Sequence, residues 1–174
     1  MSGKRKGKNK VLVLLDFENL FIDYPSRSII EELKKTLKQI AKEVGEIFAV
    51  FVFVPYNTAS LFAEDFYRAE FIPILCFRVK DKDEQAEKDT VDKTMSDFGR
   101  KIITAMPSLT HLCVGSGDFH FLPLIINASC TGLDVGLIVS GLKPLSFDLI
   151  KEIDKKPGTN ERMVYVLSQS EKGN

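Results

Sequence analysis

The stretch Val11-Leu12-Val13-Leu14-Leu15-Asp16-Phe17-Glu18-Asn19 decides the fold. Its first five residues are apolar without a break and rich in strand formers. A strand buried on one face alternates, whereas a parallel strand covered by helices on both faces reads as a continuous apolar run. The run stops at an acid, followed shortly by a second acid and an amide, so several oxygen donors stand where a buried strand reaches the surface. In open α/β sheets ligands bind beyond the carboxyl ends of the strands, where the strand order reverses, and Asp16 belongs at such a rim. The plainer reading is a turn or a helix cap, roles that Asp and Asn also favour.

Outward from this strand, elements alternate. Ile30, Leu33, Leu37, Ile40 and Val44 recur at helical spacing, which predicts a helix over residues 29–44 with Gly45 as its C-terminal glycine. A strand over 47–54 stops at Pro55, a helix follows over 59–69, and a short strand over 72–77. Residues 80–89 are charged and read as a loop or a solvated helix start. Helix resumes near Val91, with Met95, Phe98, Ile102 and Ile103 on one face, and Pro107 closes it. Strands at 111–114, 135–139 and 163–167, with helices at 121–130 and 144–153, complete the chain. This alternation predicts a three-layer α/β domain with a mostly parallel central sheet and right-handed crossovers.

The 174 residues suit one domain, with 44% hydrophobic and 28% charged residues as in ordinary globular chains. The expected division is a basic, flexible tail over 1–10, a single domain over 11–168 and a polar tail over 169–174. No apolar run reaches the roughly 18 residues of a membrane span, and the basic start lacks the apolar core of a signal peptide. A soluble, cytoplasmic protein without a membrane partner is expected. Cys76, Cys113 and Cys130 have no metal-ligand spacing and lie in apolar stretches, so all three are expected as core or near-core thiols. The 24 acidic and 24 basic residues cancel. Lys4, Arg5 and Lys10 lie in a locally basic segment that would add nonspecific attraction for phosphates; a solvated terminus is the plainer account.

Other acids join Asp16 as candidates. Asp92 and Asp97 sit near the start of a helix, where the macrodipole favours acids; five residues apart, they are about 140° apart around the axis. Gly115-Ser116-Gly117-Asp118 follows a buried strand. It lacks the Gly-Lys-Ser/Thr ending of a phosphate-binding loop, and Asp118 is either a second rim carboxylate opposite Asp16 or a helix cap. Carboxylates gathered in one crevice repel one another unless a hard divalent cation compensates, and Mg²⁺ or Mn²⁺ is the natural occupant. Neither a zinc ligand pattern nor a G-x-S-x-G turn is present.

Three blocks together resemble a known family. The strand running into Asp16-Phe17-Glu18-Asn19, then Thr90-Val91-Asp92, then Val114-Gly115-Ser116-Gly117-Asp118-Phe119-His120-Phe121-Leu122-Pro123-Leu124 are similar to the signature blocks of NYN domains, members of the PIN-like nuclease superfamily. Gly132-Leu133-Asp134-Val135-Gly136-Leu137-Ile138 resembles the strand that follows them, and Leu145 to Asp154 the closing helix segment. The resemblance implies a PIN-like, Rossmann-like α/β/α fold with sheet order 3-2-1-4-5. It implies a metal-dependent endoribonuclease in which a metal-activated water cleaves RNA, single-stranded on this reading. Asp16, Asp92 and Asp118 correspond to the family's acidic metal ligands, and Asn19 to the asparagine that orients them. Asp97 is a further candidate ligand, although it lies five residues after Asp92 where the family spacing is six. Ser116 and His120 are accessory candidates, and His120 stands where the family commonly has an Asp. The alternatives are a catalytically silent RNA-binding or regulatory module and an acidic-site phosphatase, the last disfavoured by the lack of a D-x-D motif after the first strand. Phe62, Phe66 and Phe71 are candidates for a homodimer face, but a helix-on-sheet core contact is the expected use.

Overall fold

The computed structural model describes residues 8–77, 79–80, 87–88, 90–141 and 147–167. Lys4, Arg5, most of the charged stretch at 80–89 and the tail at 169–174 lie outside the described residues. The chain runs β1 (Lys10–Asp16), α1 (Phe17–Asp23), α2 (Ile29–Glu43), β2 (Glu46–Pro55), α3 (Tyr56–Arg68), β3 (Ile72–Cys76), a small antiparallel pair β4 (Val79–Lys80) and β5 (Glu87–Lys88), α4 (Val91–Ala105), β6 (His111–Gly115), a 3₁₀ turn (Phe119–Phe121), α5 (Leu122–Cys130), β7 (Asp134–Val139), α6 (Phe147–Lys151) and β8 (Val164–Val166).

Six strands form one sheet in the order β3-β2-β1-β6-β7-β8, and every pairing in it is parallel. Counted within the sheet this is 3-2-1-4-5-6, so the expected five-strand order gains β8 at one edge. The core strand β1 has β2 on one side and β6 on the other, and Val11 to Leu15 are fully buried. Its continuous apolar run therefore has the predicted cause, helices on both faces. Leu14 is in register with Phe51 and Val114, on the face where Phe51 and Phe53 meet Phe98 of α4 edge-on at 4.7 and 5.5 Å. On the other face Phe17 of α1 packs edge-on against Phe62 and Phe66 of α3 at 4.9 and 5.0 Å. Phe62, Phe66 and Phe71 are buried, so they serve the core and not a free surface. Among the described residues no helix is long and apolar enough to cross a membrane.

Three local expectations are corrected. Helix α1 occupies residues that the sequence left without an element, because it is short and buries only Phe17 and Leu20. Gly45 does not adopt the left-handed conformation of a C-terminal glycine, which Gly132 does at φ 86°. Instead a Cβ on Gly45 would stand 2.5 Å from Asn9. Asn9 donates from Nδ2 to the Val44 carbonyl at 3.0 Å, and its own carbonyl accepts from Glu46 N at 2.9 Å. The described end of the basic tail is thus pinned to the turn between α2 and β2. The third correction concerns Cys130, which is exposed as the last residue of α5, while Cys76 and Cys113 are buried as expected. At the edge, β3 carries Pro73 in register with Val52, a position proline tolerates because an edge strand can spare a donor.

Burial pushes the Cys113 thiol up to about 12, and thiolate is the reactive form. An aromatic disulfide reagent added to the native protein at pH 8 is expected to titrate Cys130 rapidly, with Cys76 and Cys113 reacting only on denaturation; prompt reaction of a second thiol would contradict this packing. His111 is buried in β6, with Nδ1 2.8 Å from Thr110 Oγ1 and Nε2 3.4 Å from Asp134 Oδ2. Burial lowers its pKa, and Asp134 and Asp154 oppose that shift only in part. The unfolded chain therefore binds the extra proton more readily. The stability contributed by neutral His111 is present above the ordinary histidine value of about 6.5 and is lost as pH falls below it toward the folded value. Urea unfolding at pH 7.5 and 5.0 should show a steeper acid-side loss in wild type than in His111→Asn, by at most about 1.4 kcal/mol per pH unit.

Candidate metal centre

The carboxyl ends of β1 and β6 lie side by side, with Leu15 in register with Gly115. The chain moves outward through β2 and β3 on one side and through β7 and β8 on the other. This is the reversal point at which open α/β sheets form a crevice. A Cβ on Gly115 would lie 2.4 Å from Leu15 Cδ2 and 3.2 Å from Leu20 Cδ1, so glycine here lets β6 and α1 approach closely beneath the rim.

Each rim residue has a defined local task. Asp16 is buried and caps α1, its Oδ1 accepting from Asn19 N at 3.2 Å. Asn19 Oδ1 in turn accepts from Gly117 N at 3.2 Å, which ties the start of α1 to the loop after β6. Ser116 is buried, and its hydroxyl accepts from Asp118 N at 3.1 Å, fixing the loop. Asp118 caps the 3₁₀ turn by accepting from His120 N at 3.0 Å. The capping reading of both acids is thereby realised, and for Asp118 it coexists with a position in the crevice.

Asp92, in the first turn of α4, meets Asp118 and His120 there. One ligand atom from each lies within 4.8 Å of the others. His120 Nδ1 is 2.7 Å from Asp118 Oδ1 and 3.6 Å from Asp92 Oδ2. Ligands about 2.1 Å from a common octahedral ion stand roughly 3.0 Å apart when adjacent and roughly 4.2 Å when opposite. The three side chains are close enough to hold one metal ion, and all three are partly or largely exposed, which leaves room for water and a substrate.

The other expected residues have their own partners or positions. Asp16 is outside this group of three among the described residues and stands at the root of the Asp16–Asn19–Gly117 chain. Asp97 is turned to an ion pair with Arg100 at 3.0 Å on the exposed side of α4, as the angular offset from Asp92 requires. Lys10 begins β1 while the crevice lies at its end, and six steps of about 3.3 Å put it roughly 20 Å away. Any phosphate attraction it supplies acts away from the centre. His120 moves from accessory to full member of the group; its signal was the two-residue offset from Asp118, which a 3₁₀ turn folds back onto the carboxylate.

No family model matches the chain, and no curated protein matches it. Among solved structures, a protein of unknown function from Vibrio parahaemolyticus is similar with a TM-score of 0.70 at 15% identity, covering 97% of this chain and 98% of that one. That likeness concerns the fold alone. MurG from Acinetobacter baumannii is more distant, with a TM-score of 0.47 at 9% identity over 93% of this chain and 47% of that one.

Asn19→Ala removes the bridge to Gly117. A net hydrogen bond contributes about 1 kcal/mol, so the amides of Gly117 and Asp118 should exchange several-fold faster in the variant by hydrogen-exchange mass spectrometry. Unchanged protection of residues 115–120 would show that the bridge does not hold the loop.

Proposed function

We propose that the chain is a metal-dependent endoribonuclease of NYN type, acting on single-stranded RNA, with Asp92, Asp118 and His120 as the cation ligands. The observation that carries this reading is the meeting of these three side chains in the crevice at the sheet's reversal point. It is supported by the resemblance of the blocks that supply them. When bound, the cation would neutralise charge on a phosphodiester and make water a competent nucleophile near neutral pH. The protein's own contribution is placement: Ser116 and Asn19 fix the loop that presents Asp118, and the start of α4 presents Asp92. Asp16 acts through Asn19 as a positioning residue.

The donor set narrows the metal. Carboxylates suit Mg²⁺ and Mn²⁺ alike, but an imidazole nitrogen favours the transition metal. Mn²⁺ is therefore the preferred ion, with Mg²⁺ as the weaker alternative. One feature favours a second reading, a catalytically silent RNA-binding module. The His120 ring nitrogen lies beside both carboxylates, and its contacts with them can hold the three side chains together without any cation.

Cleavage of end-labelled single-stranded RNA tests both readings. Wild type should cut with Mn²⁺ more efficiently than with Mg²⁺, and Asp92→Asn and Asp118→Asn should each lose at least about a hundredfold in rate. His120→Asp should shift the preference toward Mg²⁺. Cleavage that survives both Asn substitutions sinks the nuclease assignment. RNA binding that ignores EDTA, with no cutting under any metal, points to the silent module.

A further inference from the structure

A second concavity opens on the same edge of the sheet, beyond the ends of β2 and β3. It is a cleft of about 380 Å³ walled by Tyr56 and Phe77, with Glu18, Asn57 and Thr58 among its polar lining. Tyr56 is 64% exposed and Phe77 70% exposed. Single exposed aromatics are ordinary on protein surfaces. Two of them flanking a cleft that also holds an amide, a hydroxyl and a carboxylate form an arrangement with a chemical use.

The cleft is joined to the metal centre on two sides. Thr90, the residue before α4, donates from its hydroxyl to the Phe77 carbonyl, and Asp92 follows two residues later. Glu18 precedes Asn19, whose side chain holds Gly117 beside Asp118. The strands are about 4.8 Å apart. The cleft, beyond the ends of β2 and β3, is therefore roughly 10–15 Å from the axis of β6, whose loop carries Asp118 and His120, within reach of a single bound chain that also touches the centre.

We propose that this cleft is a nucleobase subsite that seats one base of the RNA strand next to the scissile phosphodiester. The inference rests on the nuclease reading for the identity of the strand. Tyr56 and Phe77 offer stacking faces, which accept any base. Glu18 selects among them. Its Oε1 accepts from Thr58 Oγ1 at 3.1 Å, which holds the carboxylate in place at the cleft wall. A negative group repels phosphate and accepts from base N–H groups, so the base and not the backbone enters. Guanine presents two adjacent donors on its Watson–Crick edge, the ring N1–H and the exocyclic amine, and is the preferred occupant. Asn57 and Thr58 supply the remaining polar contacts.

Binding measured without divalent metal separates this subsite from catalysis. Fluorescence anisotropy of a fluorescein-labelled eight-nucleotide RNA with one central guanosine, in EDTA, should give a Kd that rises at least about fivefold in Tyr56→Ala and in Phe77→Ala. Glu18→Gln should narrow the preference for that RNA over its adenosine counterpart. Photocrosslinking of the same oligonucleotide carrying 5-iodouridine beside the guanosine should map to peptides containing Tyr56 or Phe77. A Kd within twofold of wild type in the Tyr56→Ala/Phe77→Ala double variant, crosslinks confined to other surfaces, or no RNA binding by wild type would each overturn the subsite. Binding that depends on both aromatics without any cleavage leaves the subsite standing while the nuclease reading fails. Cleavage whose KM ignores both substitutions does the reverse.

Discussion

The burial of β1 on every side is the constraint from which the remaining structure follows. A strand with hydrogen-bonded neighbours on both edges and helices on both faces can expose polar groups only where it ends. The apolar residues Val11 to Leu15 therefore determine where the chain becomes polar, and Asp16 is the first residue that can be. Because β6 lies alongside in parallel, its own polar loop emerges at the same edge. Two loops carrying acids are brought together by strand pairing alone, before any contact between them is considered.

Strand pairing delivers the loops, but side-chain hydrogen bonds shape them. Asp16 caps α1, Asn19 reaches across to Gly117, Ser116 holds Asp118, and Asp118 caps the turn that carries His120. Each of these groups satisfies a backbone N–H that would otherwise be left without a partner at an element's end. The same side chains that complete the fold locally also present the carboxylate and imidazole of the centre. Helix α4 reaches this edge from the opposite direction of travel, so its first turn, bearing Asp92, opens toward the crevice. The centre is thus composed of two element starts, that of α4 and that of a 3₁₀ turn of three residues.

The six strands and most helices were legible because each buries a pattern long enough to recognise: continuous apolar runs for strands, and Ile30 to Val44 or Met95 to Ile103 for helices. What stayed hidden depended on geometry that spacing does not carry. Helix α1 is seven residues long, too short for a period to emerge, although Asp16 three residues before Asn19 was a capping signal. Gly45 sits at a helix end whether it turns left-handed or merely makes room for Asn9; only the backbone tells the two apart. Cys130 looks apolar in context but falls on the outer face of the last turn of α5. Of the site residues, Asp92 and Asp118 were readable from their positions at element starts, whereas the grouping with His120 required the 3₁₀ turn. Tyr56 and Phe77 are far apart along the chain, and nothing links them until Pro55 is placed in register with Cys76.

Pro73 in β3 has a bearing on how copies of this molecule meet. An all-parallel sheet of six strands has two raw edges, each a row of backbone donors and acceptors that could template another chain. A proline lacks the N–H that such growth requires, and β3 is only five residues long. Extension of the ladder from that side is interrupted near its start, although Ile72 and Leu75 leave the edge apolar. The chain can thus keep a greasy rim beside β3 and still resist sheet-to-sheet polymerisation, since contacts made there must be side chain to side chain, without the backbone zipper that makes fibrils grow.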